Sequence, residues 1–123
     1  MAGTVIEKTA AKAAQDIFVG GVNSPVRSMR AVGGEPLILR YGHGSKVVDL
    51  ANTEYLDYLM SFGAMILGHG RSSVVRAVKE AAERGLHFGM TTSSEIELAE
   101  TVRRAIPWIE KLRFVNSGTE AVM

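Results

Sequence analysis

The chain has 123 residues, 46% of them hydrophobic and 22% charged, with thirteen glycines, three prolines and no cysteine. Fourteen basic side chains against thirteen acidic ones leave a formal charge of +1, which provides no net field to hold a nucleic acid or an anionic membrane. This composition argues against disorder, and the lack of cysteine excludes a disulfide scaffold, thiolate metal or iron–sulfur sites and a cysteine nucleophile; a cytoplasmic protein is the simplest expectation.

Thr4 and Glu7 have capping-box spacing, and Ile6, Ala10, Ala13, Ala14, Ile17 and Phe18 recur at helical intervals until Gly20-Gly21, which predicts an N-terminal amphipathic helix. Because Gly-Gly, Asn23-Ser24-Pro25 and Gly33-Gly34 all favour turns, Gly20 to Pro36 is expected to be irregular, a tail or a functional loop. Leu37-Ile38-Leu39, Val47-Val48-Asp49-Leu50 and Tyr55 to Leu59, joined by turns at Gly42 to Ser45 and Asn52-Thr53, predict a small antiparallel meander. Met60 to Gly70 is too short and too broken by glycine to cross a bilayer, and Glu7, Lys8, Lys12 and Asp16 interrupt any signal-peptide core, so no membrane partner is expected.

Ser72 is the expected N-cap of a sheet-covering helix that carries Val74, Val75, Val78, Ala81 and Ala82 and stops at Gly85. Ser94 and Glu97 predict a capping box for the next helix, which ends before Pro107; Leu112 to Val115 then reads as a short buried strand. Ser117 and Glu120 make a third capping box, and the helix they open has only a few residues before Met123, so the sequence is expected to be a section of a longer chain. The expected division is 1–70, holding the first helix, the loop and the meander, and 71–123, opening a larger α/β domain.

Chemistry concentrates at the junction Asn116-Ser117-Gly118-Thr119, where free amides, two hydroxyls and a helix dipole would suit a phosphate, although a plain unliganded cap explains the same residues. Arg27, with Ser24 nearby, could present its planar fork to a carboxylate or simply be solvated. His43, His69 and His87 lack metal-ligand spacing and read as turn or surface residues. Asp49, Glu54 and Asp57 fit turn or alternation chemistry in the meander, and Tyr58, Trp108 and Phe114 read as packing residues.

Three runs, Gly20-Gly21-Val22-Asn23-Ser24-Pro25-Val26-Arg27, Met65-Ile66-Leu67-Gly68-His69-Gly70 and Arg113-Phe114-Val115-Asn116-Ser117-Gly118-Thr119-Glu120-Ala121, occur in an order that resembles the glutamate-1-semialdehyde 2,1-aminomutase family of class III aminotransferases. The resemblance implies the N-terminal part of a fold-type I, pyridoxal-phosphate-dependent α/β transferase, here incomplete. It further implies an isomerase that makes 5-aminolevulinate from glutamate-1-semialdehyde for tetrapyrrole synthesis, using pyridoxal 5'-phosphate or its pyridoxamine form in a homodimer. By position, Ser24 and Arg27 match the family's substrate-carboxylate contacts, and Ser117, Gly118 and Thr119 its cofactor-phosphate loop. Phe62-Gly63-Ala64 stand where the family commonly carries Trp-Gly-Pro, which makes the implied aromatic wall smaller. The family's cofactor lysine and ring-binding aspartate have no counterpart in these residues, so no catalytic residue is assigned; the alternatives are another class III aminotransferase or a non-catalytic interaction module.

Overall fold

The computed structural model describes residues 5–123, which form two compact units, one reaching Glu80 and the other starting at Ala81. The proposed cap at Thr4 lies outside the described residues. Helix α1 (Val5–Ile17) forms as the alanine-rich periodicity predicts. Its covered side differs from the expected stripe: Glu7, Ala10, Ala11 and Ala14 are half-buried, whereas Ile6 and Ile17 are exposed. The alanines leave room for Gly34 to Ile38 and the Gly20-Gly21 turn, and a cavity of about 510 Å³ lies between them.

The stretch from Gly20 to Pro36 is not structureless. It contains single 3₁₀ turns at Val19–Gly21, Pro25–Ser28 and Arg30–Val32. Pro25 supplies the fixed φ that begins the second turn, and Met29 ends it in the left-handed region at φ 56°. The Met29 carbonyl then accepts the amides of Val32 and Gly34, both at 3.1 Å, so the chain's own backbone organises a segment with little apolar content.

The meander is present, with shifted ends: β1 (Leu39–His43), β2 (Lys46–Asp49) and β3 (Glu54–Leu56) pair antiparallel in that order. The first strand starts at Leu39 rather than Leu37, and its register shifts between Leu39 and Tyr41. Because His43 pairs with Lys46, the turn is the two residues Gly44-Ser45, with Gly44 at φ 54°. Val47, Val48 and Asp49 are the buried residues of the sheet. Successive strand residues face opposite ways, so their common burial means that β2 is covered on both faces.

The third strand stops at Leu56 instead of Leu59 because the Asp57 Oδ1 accepts the amides of Leu59 and Met60, both at 2.9 Å. That side chain replaces a ladder partner with a local turn. Met60, Ser61 and Phe62 follow at φ 44°, 52° and 56°, a left-handed turn closed by Gly63. For non-glycine residues this conformation costs roughly 1–2 kcal/mol each. The chain then returns to the hairpin, where Gly44 and His69 exchange backbone hydrogen bonds of 2.8 and 2.9 Å.

Helix α2 (Ser72–Arg84) contains Ser72 as its first residue, not as a cap, and Gly85 at φ 107° ends it. It does not cover the sheet: none of its residues is buried, and Val74, Val75 and Val78 are exposed. In the second unit α3 (Ser93–Ala105) is capped by Thr92, not Ser94. The Thr92 hydroxyl accepts the Glu95 amide at 3.3 Å and Glu95 accepts the Thr92 amide at 2.9 Å, so the reciprocal box sits two residues earlier than expected. Ile106, before Pro107, ends this helix as predicted.

Leu112 to Val115 forms no strand, with Phe114 and Val115 exposed, since no described segment offers it a ladder. Tyr58 and Trp108 are likewise exposed rather than packed. Helix α4 (Gly118–Val122) follows its Ser117 cap. Among the described residues no helix is long and apolar enough to cross a membrane.

The loop's return to the hairpin gives a sharp test. A Cβ on Gly68 would lie 2.7 Å from the Gly44 carbonyl oxygen, and Gly68 sits at φ 79°. Gly68→Ala should therefore destabilise the protein by about 1–3 kcal/mol, visible as a lower urea midpoint, because neither backbone strand can move aside cheaply.

Candidate active site

Ser24 and Arg27 share one turn. Ser24 is extended (φ −159°, ψ 133°) before Pro25, and its carbonyl accepts the Arg27 amide at 3.0 Å. Its hydroxyl makes no capping bond, which leaves it available. Arg27 is exposed, and among the described residues its guanidinium has no ion-pair or hydrogen-bond partner. A planar fork with no partner among the described residues, in the same turn as an uncommitted hydroxyl, has the chemistry to take a carboxylate in two-point geometry. Neither residue lines the cavity beside α1, which is bordered by Lys8, Gln15, Arg30, Glu35 and Asp49 among others.

The other candidate residues lie in the second unit. Ser117 has extended N-cap geometry, and its hydroxyl accepts the Glu120 amide at 3.3 Å, as the capping spacing predicts. The return contact differs from the reciprocal box: Glu120 Oε2 accepts the Asn116 amide at 3.1 Å and the Ser117 hydroxyl at 2.8 Å. The amides of Gly118 and Thr119 have no acceptor among the described residues, and a Cβ on Gly118 would meet nothing within 4 Å. Two amides without an internal acceptor at a helix start are donors that an anion can use.

Two of the histidines read as turn or surface residues are paired with carboxylates. His43 Nε2 lies 3.2 Å from Glu54 Oε2, and Lys46 binds the other oxygen of Glu54; all three side chains are exposed. His69 Nε2 lies 2.7 Å from Asp57 Oδ2, and there the side chains are only 21% and 12% exposed. The hydrogen bond from His69, with the Met60 and Leu59 amides, holds the Asp57 carboxyl below its ordinary value. Sequence spacing hid these pairs because they span eleven and twelve residues; only the strand register and the returning loop bring them together. The alternation of the meander was the available signal for His43 and Glu54. No comparable signal existed for His69.

The turn and alternation readings of Asp49, Glu54 and Asp57 hold. Asp49 accepts the Thr53 amide at 2.7 Å and the Tyr55 hydroxyl at 2.9 Å. Burial pushes its carboxyl up, but these hydrogen bonds outweigh it and the net shift is downward. Lys46 is the main reason that the Glu54 carboxyl also lies low. Among the described residues no group of three histidine, cysteine or acidic side chains could hold a metal ion.

Residues 29–123 match the class III aminotransferase family, and the chain belongs to it. The glutamate-1-semialdehyde 2,1-aminomutase of Thermodesulfovibrio yellowstonii is 52% identical over 120 residues, covering 98% of this chain and 28% of that protein. A solved transaminase with pyridoxal phosphate bound superposes with a TM-score of 0.86 at 32% identity, over 99% of this chain and 28% of its own. An ω-transaminase from Sphaerobacter thermophilus gives 0.84 at 32% identity, over 94% of this chain and 26% of its own. The fold is thus that of the N-terminal part of a pyridoxal-phosphate-dependent transferase, and the chain spans little more than a quarter of the relatives it matches.

The carboxylates predict the response to acid. Asp57 titrates lower in the folded state than in the unfolded chain, so the unfolded state takes up its proton first as pH falls. The stability it contributes is complete above its ordinary value and is lost as pH falls through the depressed folded value, that is, below about pH 4. Urea midpoints should drop over that range in the wild type. In Asp57→Asn the midpoint should start lower at pH 7 and fall less.

Proposed function

We propose that this chain is the N-terminal section of a glutamate-1-semialdehyde 2,1-aminomutase, an isomerase that forms 5-aminolevulinate for tetrapyrrole synthesis in the cytoplasm. The observation that carries this reading is the 52% identity to an aminomutase across 98% of the chain, including the turn that holds Ser24 and Arg27. Residues 71–123 would open the large cofactor domain, and the complete protein would be a homodimer. The known transaminase with pyridoxal phosphate bound supports the cofactor class.

When bound, the cofactor supplies an electron sink and carries the amino group. This chain's own contribution is binding and orientation. The Arg27 fork would grip the substrate carboxylate and Ser24 would donate its hydroxyl to the same group, fixing which end of a short amino-acid derivative faces the cofactor. Gly118 and Thr119 would hold the phosphate through their open amides and the Thr119 hydroxyl. Ser117 shapes that loop through its cap, and Glu120 keeps it closed from behind. No proton-transfer role is assigned to any residue of this chain.

The test is product formation by the complete protein supplied with glutamate-1-semialdehyde and the pyridoxamine form of the cofactor. Rapid formation of 5-aminolevulinate is expected. Slow formation with fast transamination of an ω-amino acid would move the assignment to the other branch of the family, which the ω-transaminase neighbour represents. In the active protein Arg27→Ala should weaken substrate binding by about 1.5–3 kcal/mol, read as a raised KM. Arg27→Lys should restore little of it, since an ammonium cannot reproduce the two-point fork.

A further inference from the structure

Five non-glycine residues of the described chain have left-handed backbone: Met29, Asn52, Met60, Ser61 and Phe62. Of these, Met29 alone lies within two residues of a candidate site residue, Arg27. Asparagine enters this region readily, whereas methionine is strained in it and persists there only where the surroundings over-determine it. Burial of the side chain does not supply that constraint, since Met29 is 43% exposed. The backbone does.

Met29 closes the Pro25–Ser28 turn and opens the Arg30–Val32 turn, at φ 56° and ψ 5°. Its carbonyl accepts the Val32 and Gly34 amides, and a Cβ on Gly34 would lie 3.4 Å from Met29 Cβ, so the chain doubles back tightly on this residue. The arginine that follows reaches the start of the loop. A Cβ on Gly20 would lie 3.6 Å from Arg30 Nη2, and Gly20, Gly21, Ser28 and Arg30 all line the cavity beside α1. Gly20 to Arg30 is therefore a loop whose ends touch, and Ser24 and Arg27 lie on it. Among the described residues, Val22 to Ser28 make no backbone hydrogen bond outside this loop, so the orientation of the Ser24–Arg27 turn depends on the loop's two ends. At one end Gly20 and Gly21 enter the left-handed region without strain, at φ 69° and 75°. At the other end the same region is imposed on Met29.

We infer that Met29 is a positioning residue, whose left-handed backbone closes the Gly20–Arg30 loop and sets how the Ser24–Arg27 turn presents its hydroxyl and guanidinium. What Arg27 then binds rests on the function proposed above; the closure of the loop by Met29 rests on the geometry alone.

The experiment uses the complete protein with Met29→Val and Met29→Asn, compared by amide hydrogen exchange and steady-state kinetics. A β-branched residue is all but excluded from the left-handed region and asparagine is favoured in it, so the pair separates backbone conformation from apolar packing. In Met29→Val, exchange at Val32 and Gly34 should speed by about tenfold or more while Val47 and Val48 in β2 keep their wild-type rates. KM for the semialdehyde should rise by about fivefold or more with a smaller change in kcat. Met29→Asn should recover most of both. A side chain that acted through packing would give the reverse order, with valine closer to the wild type than asparagine, and that order would overturn the inference. So would unchanged exchange at Val32 and Gly34 in Met29→Val, an equal acceleration in β2, or faster exchange with unchanged KM. If Met29→Val does not fold, Met29→Asn carries the test alone: exchange and KM close to the wild type support the inference, and a loss in either overturns it. A wild type that processes a different amine would instead overturn the proposed function, and the KM comparison would be made with that amine.

Discussion

The first unit depends on how closely the returning loop can approach the turn Gly44-Ser45. Two antiparallel hydrogen bonds between Gly44 and His69, and one from Asp57 to Ser45, require backbones almost in contact. Glycine permits this at two positions: a side chain at Gly68 would strike the Gly44 carbonyl and one at Gly42 would strike the imidazole of His69. The absence of two Cβ atoms is therefore what allows a polar, partly buried histidine–carboxylate contact to form across twelve residues of sequence. Hydrogen bonds with one ionised partner gain strength where water is partly excluded, so the close approach also strengthens the contact it permits.

The central strand shows the same interplay of apolar and polar burial. Val47 and Val48 point to opposite faces and are both covered, and the next residue is an aspartate that is only 2% exposed. A buried carboxylate is costly unless it is satisfied, and Asp49 is satisfied by an amide and a phenol from the turn and strand that follow it. The hairpin between β2 and β3 is thereby closed by a charge rather than by more apolar surface. Elsewhere the valines Val74, Val75 and Val78 of α2, and Phe114 and Val115 before α4, remain exposed. Apolar faces of that kind belong to elements that seat against other protein, which agrees with a chain spanning about a quarter of its relatives' length.

Local signals in the sequence showed the existence of most elements but not all of their caps, and partner-dependent features were not legible. Helix α1, the stop at Pro107, the existence of the meander and the Ser117 cap are all set by residues within a few positions of one another. Two overlapping capping patterns, Thr92 with Glu95 and Ser94 with Glu97, are equivalent as text, and only the extended backbone at Thr92 distinguishes them. Leu112 to Val115 has strand composition but a strand exists only beside another. The His69 pair was invisible because nothing in the spacing of Asp57 and His69 announces that a hairpin turn will bring them together. The assignment of Ser24, Arg27 and Ser117 to Thr119 as site residues rests on family motifs more than on their local chemistry, which a solvated loop and a plain cap would explain equally well.

The two groups of candidate residues also differ in how an anion could be accommodated. At the Ser24 turn the positive group is a side chain without a partner among the described residues, so a carboxylate meets no competitor from them. At the start of α4 an acid is already present, and a second anion beside Glu120 would be repelled if both sought the same amides. They need not do so. Glu120 is committed to Asn116 and Ser117, on the upstream side of the cap, while the amides of Gly118 and Thr119 remain open. The acid is taken up by the Asn116 amide and the Ser117 hydroxyl, so an anion at the two later amides would not compete with it for the same donors. A helix this short has a small dipole, so an anion bound there would be held mainly by the directed amides rather than by the helix.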